Sequence, residues 1–444
     1  MHNIQQIKKW VPSRYNVQSS TEDGHLLLYN TFTGAILEVD PNEKHEILSM
    51  LTKHGTIENL STHFLTLKEQ GFLVPECVDE DERAKALRES LRNPDVVHWI
   101  IMPTEACNFR CTYCYQTFAR GKMSRDTVNG IKQLLDSKLG TVRTLSVSWF
   151  GGEPLLASDV IEELSEYIKE RAYEYGFHYS SDIATNGYLL SRDLFRHLLS
   201  WNVRQFMITL DGLAHIHDGR RILVYGGGTF SKIIENLKNA QSIPDEFEIY
   251  IRVNFDMETL NQVPELIEFL ALHFSGDKRF QMFFRPVGRW GGMNDDKLPV
   301  CDDRTANSAI WEFTKLAIES GLNMASIIEN SLLPGGSVCY ASKPHSLVFG
   351  ANGRLHKCTC ALDEDVNQVG KIRSDGTLDL DEPKIAHWVN SGDIEDTGCR
   401  SCFYRPSCQG NHCPLYRMKT GLRPCPSEKR KIKKVLDLIA SEDQ

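Results

Sequence analysis

No run of apolar residues in this 444-residue chain approaches the roughly 20 needed to span a bilayer. Its opening, MHNIQQIKKWVPSR, also lacks the apolar core of a signal peptide. Both absences point to the cytoplasm. There is no long basic run and the net charge is −9. That argues against nucleic acid, and against an anionic membrane surface, as the main partner. Disulfides are not expected in a reducing compartment, so the thirteen cysteines need another explanation. Their number is odd and ten of them fall into two tight sets, the pattern of metal ligands. What is present otherwise is ordinary: 41% hydrophobic and 25% charged residues, in a chain long enough for two or three domains.

Three rhythms follow one another along the chain. In the first part HLLLYN, TFTG and AILEVD read as a hairpin with a polar turn. NEKHEILSMLTKH and IENLSTHFLTLKEQ read as helices, FLVPE as a returning strand, and the charged DEDERAKALRESLRNPD as a link to the next domain. From Trp99, apolar runs at WIIMP, LSVSWF, HYSSDIA, RQFMITL, EIYIRVNF and FQMFFRPV alternate with helical patterns at 124–138, 158–175, 191–200, 229–241 and 258–274. Six βα units in a row imply α/β architecture, a parallel sheet curled into a partial, TIM-like (βα)6 barrel, with functional residues just after the strands. The third part is loop-rich and holds most of the remaining cysteines. A basic amphipathic helix, SEKRKIKKVLDLI, follows it. The division expected is 1–94 for a small α+β domain, 95–328 for the barrel, 329–426 for the cysteine-rich part and 427–444 for the last helix.

The first cysteine set is TEACNFRCTYCYQ, with Cys107, Cys111 and Cys114 spaced as CxxxCxxC. Three thiolates on one loop can hold three irons of a 4Fe–4S cubane. The fourth iron is then left for the amino and carboxylate groups of S-adenosylmethionine, whose reductive cleavage yields a 5′-deoxyadenosyl radical. A structural zinc site usually wants four ligands in paired knuckles, which this loop does not offer. Here the chain resembles the radical SAM superfamily. The resemblance places Tyr113 against the adenine, and reads Gly151-Gly152-Glu153-Pro154 as the family's GGE motif, near the methionine ammonium. Asn186 in TNG and Thr209 and Asp211 in TLDG end the next two strands. By the same resemblance Thr209 meets the ribose, and Arg221, in HxHDxRR with His217, Asp218 and Arg220, meets the carboxylate, which suits its bidentate fork. For Asp218 and Arg220 a surface turn or ion pair is an equal alternative.

The second field runs Cys339-x13-Gly353-x4-Cys358, then Cys399-x2-Cys402-x5-Cys408-x4-Cys413, then Cys425. It resembles the SPASM extension with two auxiliary 4Fe–4S clusters, although the usual last spacing is x3. The resemblance implies a distal cluster on Cys399, Cys402, Cys408 and Cys425, and a nearer one on Cys339, Cys358 and Cys413. Three clusters with one iron given to S-adenosylmethionine would take eleven cysteines and the motifs supply ten. Cys360 or Cys301 completes the nearer set, or one iron stays open for a substrate thiolate, a soft ligand that suits it. Cys77 reads as a free buried thiol.

SPASM enzymes resemble one another in acting mostly on peptides. Sulfatase maturases carry an Asp directly after the Cys of G-x4-C, where this chain has Thr359. The hairpin-and-helix order of residues 1–94 loosely resembles the winged-helix leader-recognition domain of ribosomal peptide maturases, which adds a leader peptide as an extra strand. The reading is a maturase that forms a thioether or other crosslink in a ribosomal precursor. It would use three 4Fe–4S clusters, S-adenosylmethionine and a reductant such as flavodoxin or ferredoxin. Residues 1–92 would bind the leader without being needed for cosubstrate cleavage. A formylglycine-forming sulfatase maturase is the runner-up. An iron–sulfur electron carrier is the alternative of another class, against which GGEP, TNG and LDG count.

Overall fold

The computed structural model describes residues 9–52, 61–392 and 396–442. They form two compact units: Pro94–Met324 with Pro344–Trp388, and Met1–Asn93 with Ala325–Lys343 and Val389–Gln444. Among the described residues no helix is long and apolar enough to cross a membrane.

The first of these units is built on β1 (Val96–Thr104), β2 (Thr144–Gly151), β3 (His178–Thr185), β4 (Val203–Thr209), β5 (Glu248–Phe255) and β6 (Phe280–Pro286). They lie side by side in chain order, all parallel, which makes the α/β partial barrel expected of six βα units. The helices between them are Arg125–Lys138, Ser158–Tyr175, Arg192–Ser200, Phe230–Gln241 and Val263–Phe274. Their starts are set by local chemistry: the Ser124 and Ser191 hydroxyls accept from the backbone N–H of Thr127 and Leu194. Strand β2 shows how the layers form. Leu145, Val147 and Trp149 are fully buried on one face. On the alternate face Ser148 donates to Asp182 at 2.7 Å and meets His98 at 2.9 Å. This strand therefore presents one apolar and one polar face, and burying each large apolar side chain contributes about 1.5–3 kcal/mol.

The sheet does not stop at six strands. β7 (Ser346–Phe349) joins the free side of β1 in parallel, followed by the antiparallel meander β8 (Arg354–His356), β9 (Gln368–Ile372) and β10 (Leu378–Leu380). Residues 344–388, read along the sequence as cysteine-rich loop, thus extend the barrel's own sheet to ten strands.

In the other unit, Asn16–Ser20, Leu26–Asn30 and Ile36–Val39 form an antiparallel sheet, and Trp10–Pro12 pairs with Leu73–Pro75. The expected hairpin is its second and third strands. Helices Lys44–Thr52 and Thr62–Glu69 close over Leu26, Leu28, Phe64 and Phe72. The part of the second expected helix over 57–60 lies outside the described residues. The charged stretch taken for a link is instead the helix Glu80–Ser90. Asp79 caps it by accepting from Asp81 N and Glu82 N, and Ala84 and Arg88 form its buried side.

That helix and the sheet pack against the second cysteine field rather than standing apart. Tyr29 Oη, fully buried, donates to Leu332 O at 2.5 Å and lies 3.2 Å from Ser407 Oγ. Thr31 Oγ1 donates to Phe403 O at 2.5 Å, and Arg14 Nη2 to Arg400 O at 2.9 Å. Arg405, 4% exposed, pairs with Asp81 at 2.7 Å. The C-terminal helices, Ser427–Arg430 and Ile432–Glu442, sit in the same unit, with Ser19 Oγ donating to Asp437 at 3.2 Å. The division in space therefore departs from 1–94, 95–328, 329–426 and 427–444: the first segment lies in one compact unit with Cys399–Cys425.

Candidate functional site

The CxxxCxxC loop follows β1 at the carboxyl end of the barrel strands. Its middle, Phe109–Cys111, is a short strand paired antiparallel to Arg221–Leu223, with Cys111 opposite Arg221. Thr112 N donates to Arg220 O at 2.9 Å and Val224 N to Asn108 O at 2.8 Å. The two segments singled out in the sequence, more than a hundred residues apart, are thus stapled together. Cys114 N donates to Cys111 O at 3.1 Å, and Phe109 N to the Cys107 sulfur at 3.3 Å. Burial pushes the Cys107 thiol up to about 12 and Cys111 up to about 11, and raises Cys114 as well. Such thiols give up their protons only in exchange for a metal cation.

The two glycines of GGEP serve the loop itself. A Cβ on Gly151 (φ +139°) would sit 2.2 Å from Thr104 O, and one on Gly152 would sit 2.4 Å from Ala106 O and 2.5 Å from Glu105 O. The end of β2 passes directly beneath the backbone that leads into Cys107, and no side chain fits between. What the glycines admit here is the loop's own backbone. Glu153 is fully buried and accepts from Thr185 Oγ1 at 2.7 Å, Asn186 N at 2.7 Å and Leu155 N at 3.0 Å. Burial raises its pKa, and the three donors oppose that. Asn186 in turn donates to Asn108 Oδ1 at 2.8 Å. Glu153 therefore braces the ends of β2 and β3 to each other, and through Asn186 to the Cys loop.

Tyr113 is the hub of the remaining polar residues. Its hydroxyl donates to Asp211 and accepts from Arg221 Nη1 at 2.8 Å and Asn254 Nδ2 at 3.1 Å. Burial drives its pKa far up. Arg220 lies 5.3 Å from the Tyr113 ring centre and pairs with buried Asp256 at 2.7 Å. Asp218 accepts from Thr229 N at 2.7 Å and Phe230 N at 2.8 Å, capping the next helix. His217, fully buried, accepts from Asp211 N at 3.2 Å, and burial lowers its pKa. Of the two residues with an open reading, Asp218 is a cap and Arg220 an ion-pair partner. Thr209 ends β4 half-buried. Asn254 and Asp256, at the end of β5, were not singled out in the sequence, although NFD occupies the same post-strand position as TNG and LDG.

S-adenosylmethionine can be tested against these side chains. Asp211 Oδ1 and Arg221 Nε are buried without a hydrogen-bond partner among the described residues. A buried acceptor and a buried cationic donor both left open match a cosubstrate that brings hydroxyls, an ammonium and a carboxylate. The residues present fit it.

In the other unit Cys399, Cys402, Cys408 and Cys425 line one pocket together with Arg405, Arg417, Arg423 and Lys429. Among the described residues no three Cys, His, Asp or Glu side chains are arranged to hold a single metal ion; these four surround a space instead. Arg417 Nη2 donates to the Cys399 sulfur at 3.4 Å, Lys429 Nζ to Cys425 at 3.6 Å and Tyr404 N to Cys402 at 3.4 Å. Asp396 caps Thr397–Arg400 and pairs with Arg417 at 3.0 Å and Arg423 at 2.8 Å. Donors aimed at sulfur suit thiolates that carry a cluster. Cys339 N donates to Asn411 O at 2.9 Å, and Cys413 caps Pro414–Thr420. Cys358 and Cys360 belong to the barrel unit. Cys360 N lies 3.3 Å from the Cys358 sulfur, and hydrogen bonds from Cys358 and Tyr115, with Arg252 and Arg285 nearby, lower the Cys360 thiol to about 7. Cys301 sits just before the cap of Asp303–Glu319. Cys77 is exposed, not buried, because it lies in the turn beyond Pro75 and Glu76, past the end of the strand Leu73–Pro75.

Residues 101–270 match the family model described as the Radical SAM superfamily. That segment carries a radical SAM domain, and the fold of the chain is similar to that of solved maturases. Such a domain implies a 4Fe–4S cluster and S-adenosylmethionine. Among individual relatives, it is 24% identical over 355 residues to a cysteine-type anaerobic sulfatase-maturating enzyme of Clostridium novyi, covering 70% of this chain and 86% of that one. It is 23% identical to the Fe-coproporphyrin III synthase of Methanosarcina barkeri, over 51% of this chain and 53% of the relative. The chain thus spans about half the length of the first curated relatives it matches. In structure it is similar to native anSMEcpe with bound AdoMet and Cp18Cys peptide (TM-score 0.59, 16% identity, 78% of this chain and 99% of that one). It is also similar to Streptococcus suis SuiB bound to precursor peptide SuiA (TM-score 0.51, 15% identity, 92% and 97%).

Proposed function

We propose that this enzyme is a peptide maturase that forms a thioether or other crosslink in a ribosomally made precursor. The observation that carries it is the pairing of the CxxxCxxC loop with Arg221–Leu223, which gathers the thiols and an open buried arginine at the carboxyl end of a parallel barrel. When bound, cluster and cosubstrate supply a 5′-deoxyadenosyl radical that abstracts hydrogen from carbon. Cys107, Cys111 and Cys114 are the ligands in this reading. Arg221 and Asp211 hold the polar ends of S-adenosylmethionine, Asn186 and Thr209 lie along it, and Tyr113 positions Asp211 and Arg221. Gly151, Gly152 and Glu153 shape the loop. Cys399, Cys402, Cys408 and Cys425 hold a further 4Fe–4S cluster, and residues 1–94 recognise the leader. The peptides bound to both structural neighbours support a peptide substrate.

Two related maturases favour a second reading, formation of formylglycine on a sulfatase. One experiment separates them. The anaerobically reconstituted enzyme is given S-adenosylmethionine, a reductant and candidate peptides. It is expected to hold about twelve irons, to release 5′-deoxyadenosine and to give a crosslinked product that no aldehyde reagent labels. The Cys107→Ala, Cys111→Ala, Cys114→Ala variant should keep about eight irons and release none. An aldehyde product decides for the second reading, and cosubstrate cleavage by the triple variant overturns both.

A further inference from the structure

The chain as a whole is acidic, yet its cations are not spread evenly. Residues 417–434 contain eight Lys or Arg and one acid, Glu428, a net charge of +7 in a protein of −9, so the rest carries −16. The fold sets many of these cations outward. Lys419, Arg423, Arg430, Lys433 and Lys434 are exposed. The helix Ile432–Glu442 buries Ile432, Val435, Leu436 and Ile439, which leaves its lysines on the opposite side. Within the same segment Tyr416 is 40% and Leu422 59% exposed, two apolar side chains among cations. The segment also carries Cys425, and its Arg423 and Lys429 line the cavity of the four thiols.

A small apolar centre with a rim of one charge sign is the make-up of a transient docking surface, where charge complementarity sets encounter rate more than affinity. We propose that residues 416–434 dock an acidic one-electron carrier protein of low potential, a flavodoxin or ferredoxin. The carrier delivers its electron to the cluster held by Cys399, Cys402, Cys408 and Cys425. The step is a single outer-sphere transfer: the carrier is oxidised by one electron, the cluster is reduced from its 2+ to its 1+ level, and no bond or proton moves. The proposal rests on the reading above that these four thiols hold a 4Fe–4S cluster. Iron counting on the wild type comes first, since fewer than about eight irons per chain would sink that reading and this proposal together.

The test is anaerobic stopped-flow reduction of the reconstituted full chain by reduced flavodoxin, followed by bleaching of the cluster absorbance at several salt concentrations. The wild-type second-order rate should fall steeply with salt, because a Debye length of about 8 Å at physiological ionic strength screens such surfaces. The variant Arg430→Glu, Lys433→Glu, Lys434→Glu should lose at least tenfold in that rate at low salt and most of the salt dependence. Its iron content and its dithionite-driven release of 5′-deoxyadenosine should stay at wild-type level, as dithionite needs no docking. Lys419→Glu alone, at the far end of the segment, should lose severalfold and guards against a triple variant that fails to fold. An unchanged flavodoxin rate in Lys419→Glu together with either an unchanged or a misfolded triple variant overturns the proposal. So does wild-type protein that binds phosphatidylserine vesicles or duplex DNA but shows no salt-dependent reduction by flavodoxin.

Discussion

A Cβ on Gly152 would lie 2.4 Å from the carbonyl oxygen of Ala106, so a single methyl group there tests how the loop that carries Cys107 is seated. Gly152→Ala cannot be accommodated by rotating a flexible side chain, because the obstacles are backbone oxygens on both Glu105 and Ala106. The loop must lift, and Glu153, with its three hydrogen bonds on the next residue, resists. The variant is expected to fold, by circular dichroism, and to reconstitute with about eight irons instead of twelve, with 5′-deoxyadenosine release lost. Full iron loading would show that the close approach has no bearing on the cluster. At this scale the sequence was informative about identity and less so about role. The spacing of Cys107, Cys111 and Cys114 and the GGEP run were visible at once. That Glu153 braces Thr185 and Asn186, and that Tyr113 is tied to Asp211, Arg221 and Asn254, depends on strand ends that only the folded sheet brings side by side.

The barrel elements were legible because their periodicity is strict. The helix read over 158–175 is Ser158–Tyr175, and the strand EIYIRVNF is Glu248–Phe255. Two elements were not. Glu80–Ser90 is so polar that its buried side, Ala84 and Arg88, gives no apolar stripe, and Arg88 is buried because its guanidinium donates to Val389 O at 3.3 Å. β7 joins β1 across some 245 residues, with Ser346 opposite His98 and no local signal. The face of the same sheet that bears Ser148 carries a testable charge. Burial raises Asp182 on β3 to about 6, with Ser148 as its hydrogen-bond donor. The native state then holds a proton that the unfolded chain, with an ordinary Asp near 3.8, has released. Its contribution to stability is complete below about pH 4 and is lost as pH rises through 6, a change of about 3 kcal/mol. Asp182→Asn should flatten that decline in urea midpoints measured from pH 4 to 7. A variant with the wild-type slope would place the titration elsewhere.

Across the whole molecule, the contacts of Tyr29, Thr31, Asp81 and Arg14 with Leu332, Phe403, Arg405 and Arg400 change what a truncation does. Residues 1–92 read along the sequence as a recognition module separable from the chemistry. Here their removal strips a buried sheet and four hydrogen-bonded partners from the segment that carries Cys399, Cys402 and Cys408. Leaving Arg405 buried without Asp81 alone costs about 1–3 kcal/mol. The truncated chain is expected to lose the irons of the Cys399 set as well as precursor turnover, measured as iron per chain after reconstitution. If it keeps about twelve irons while precursor turnover is lost, the first segment is a separable module after all.

The same unit is written in three instalments, Met1–Asn93, Ala325–Lys343 and Val389–Gln444, with the barrel between them. On a ribosome moving at roughly 5–20 residues per second, Val389 is made some 15–60 s after Asn93. Through that interval Tyr29 has no Ser407 to meet, and the strand Asn16–Ser20 has no helix Ile432–Glu442 beside it. The earlier-made segment therefore waits, sheet surface bare, for the later one to arrive. It can mature only after the barrel has been made, so birth order and completion order run in opposite directions.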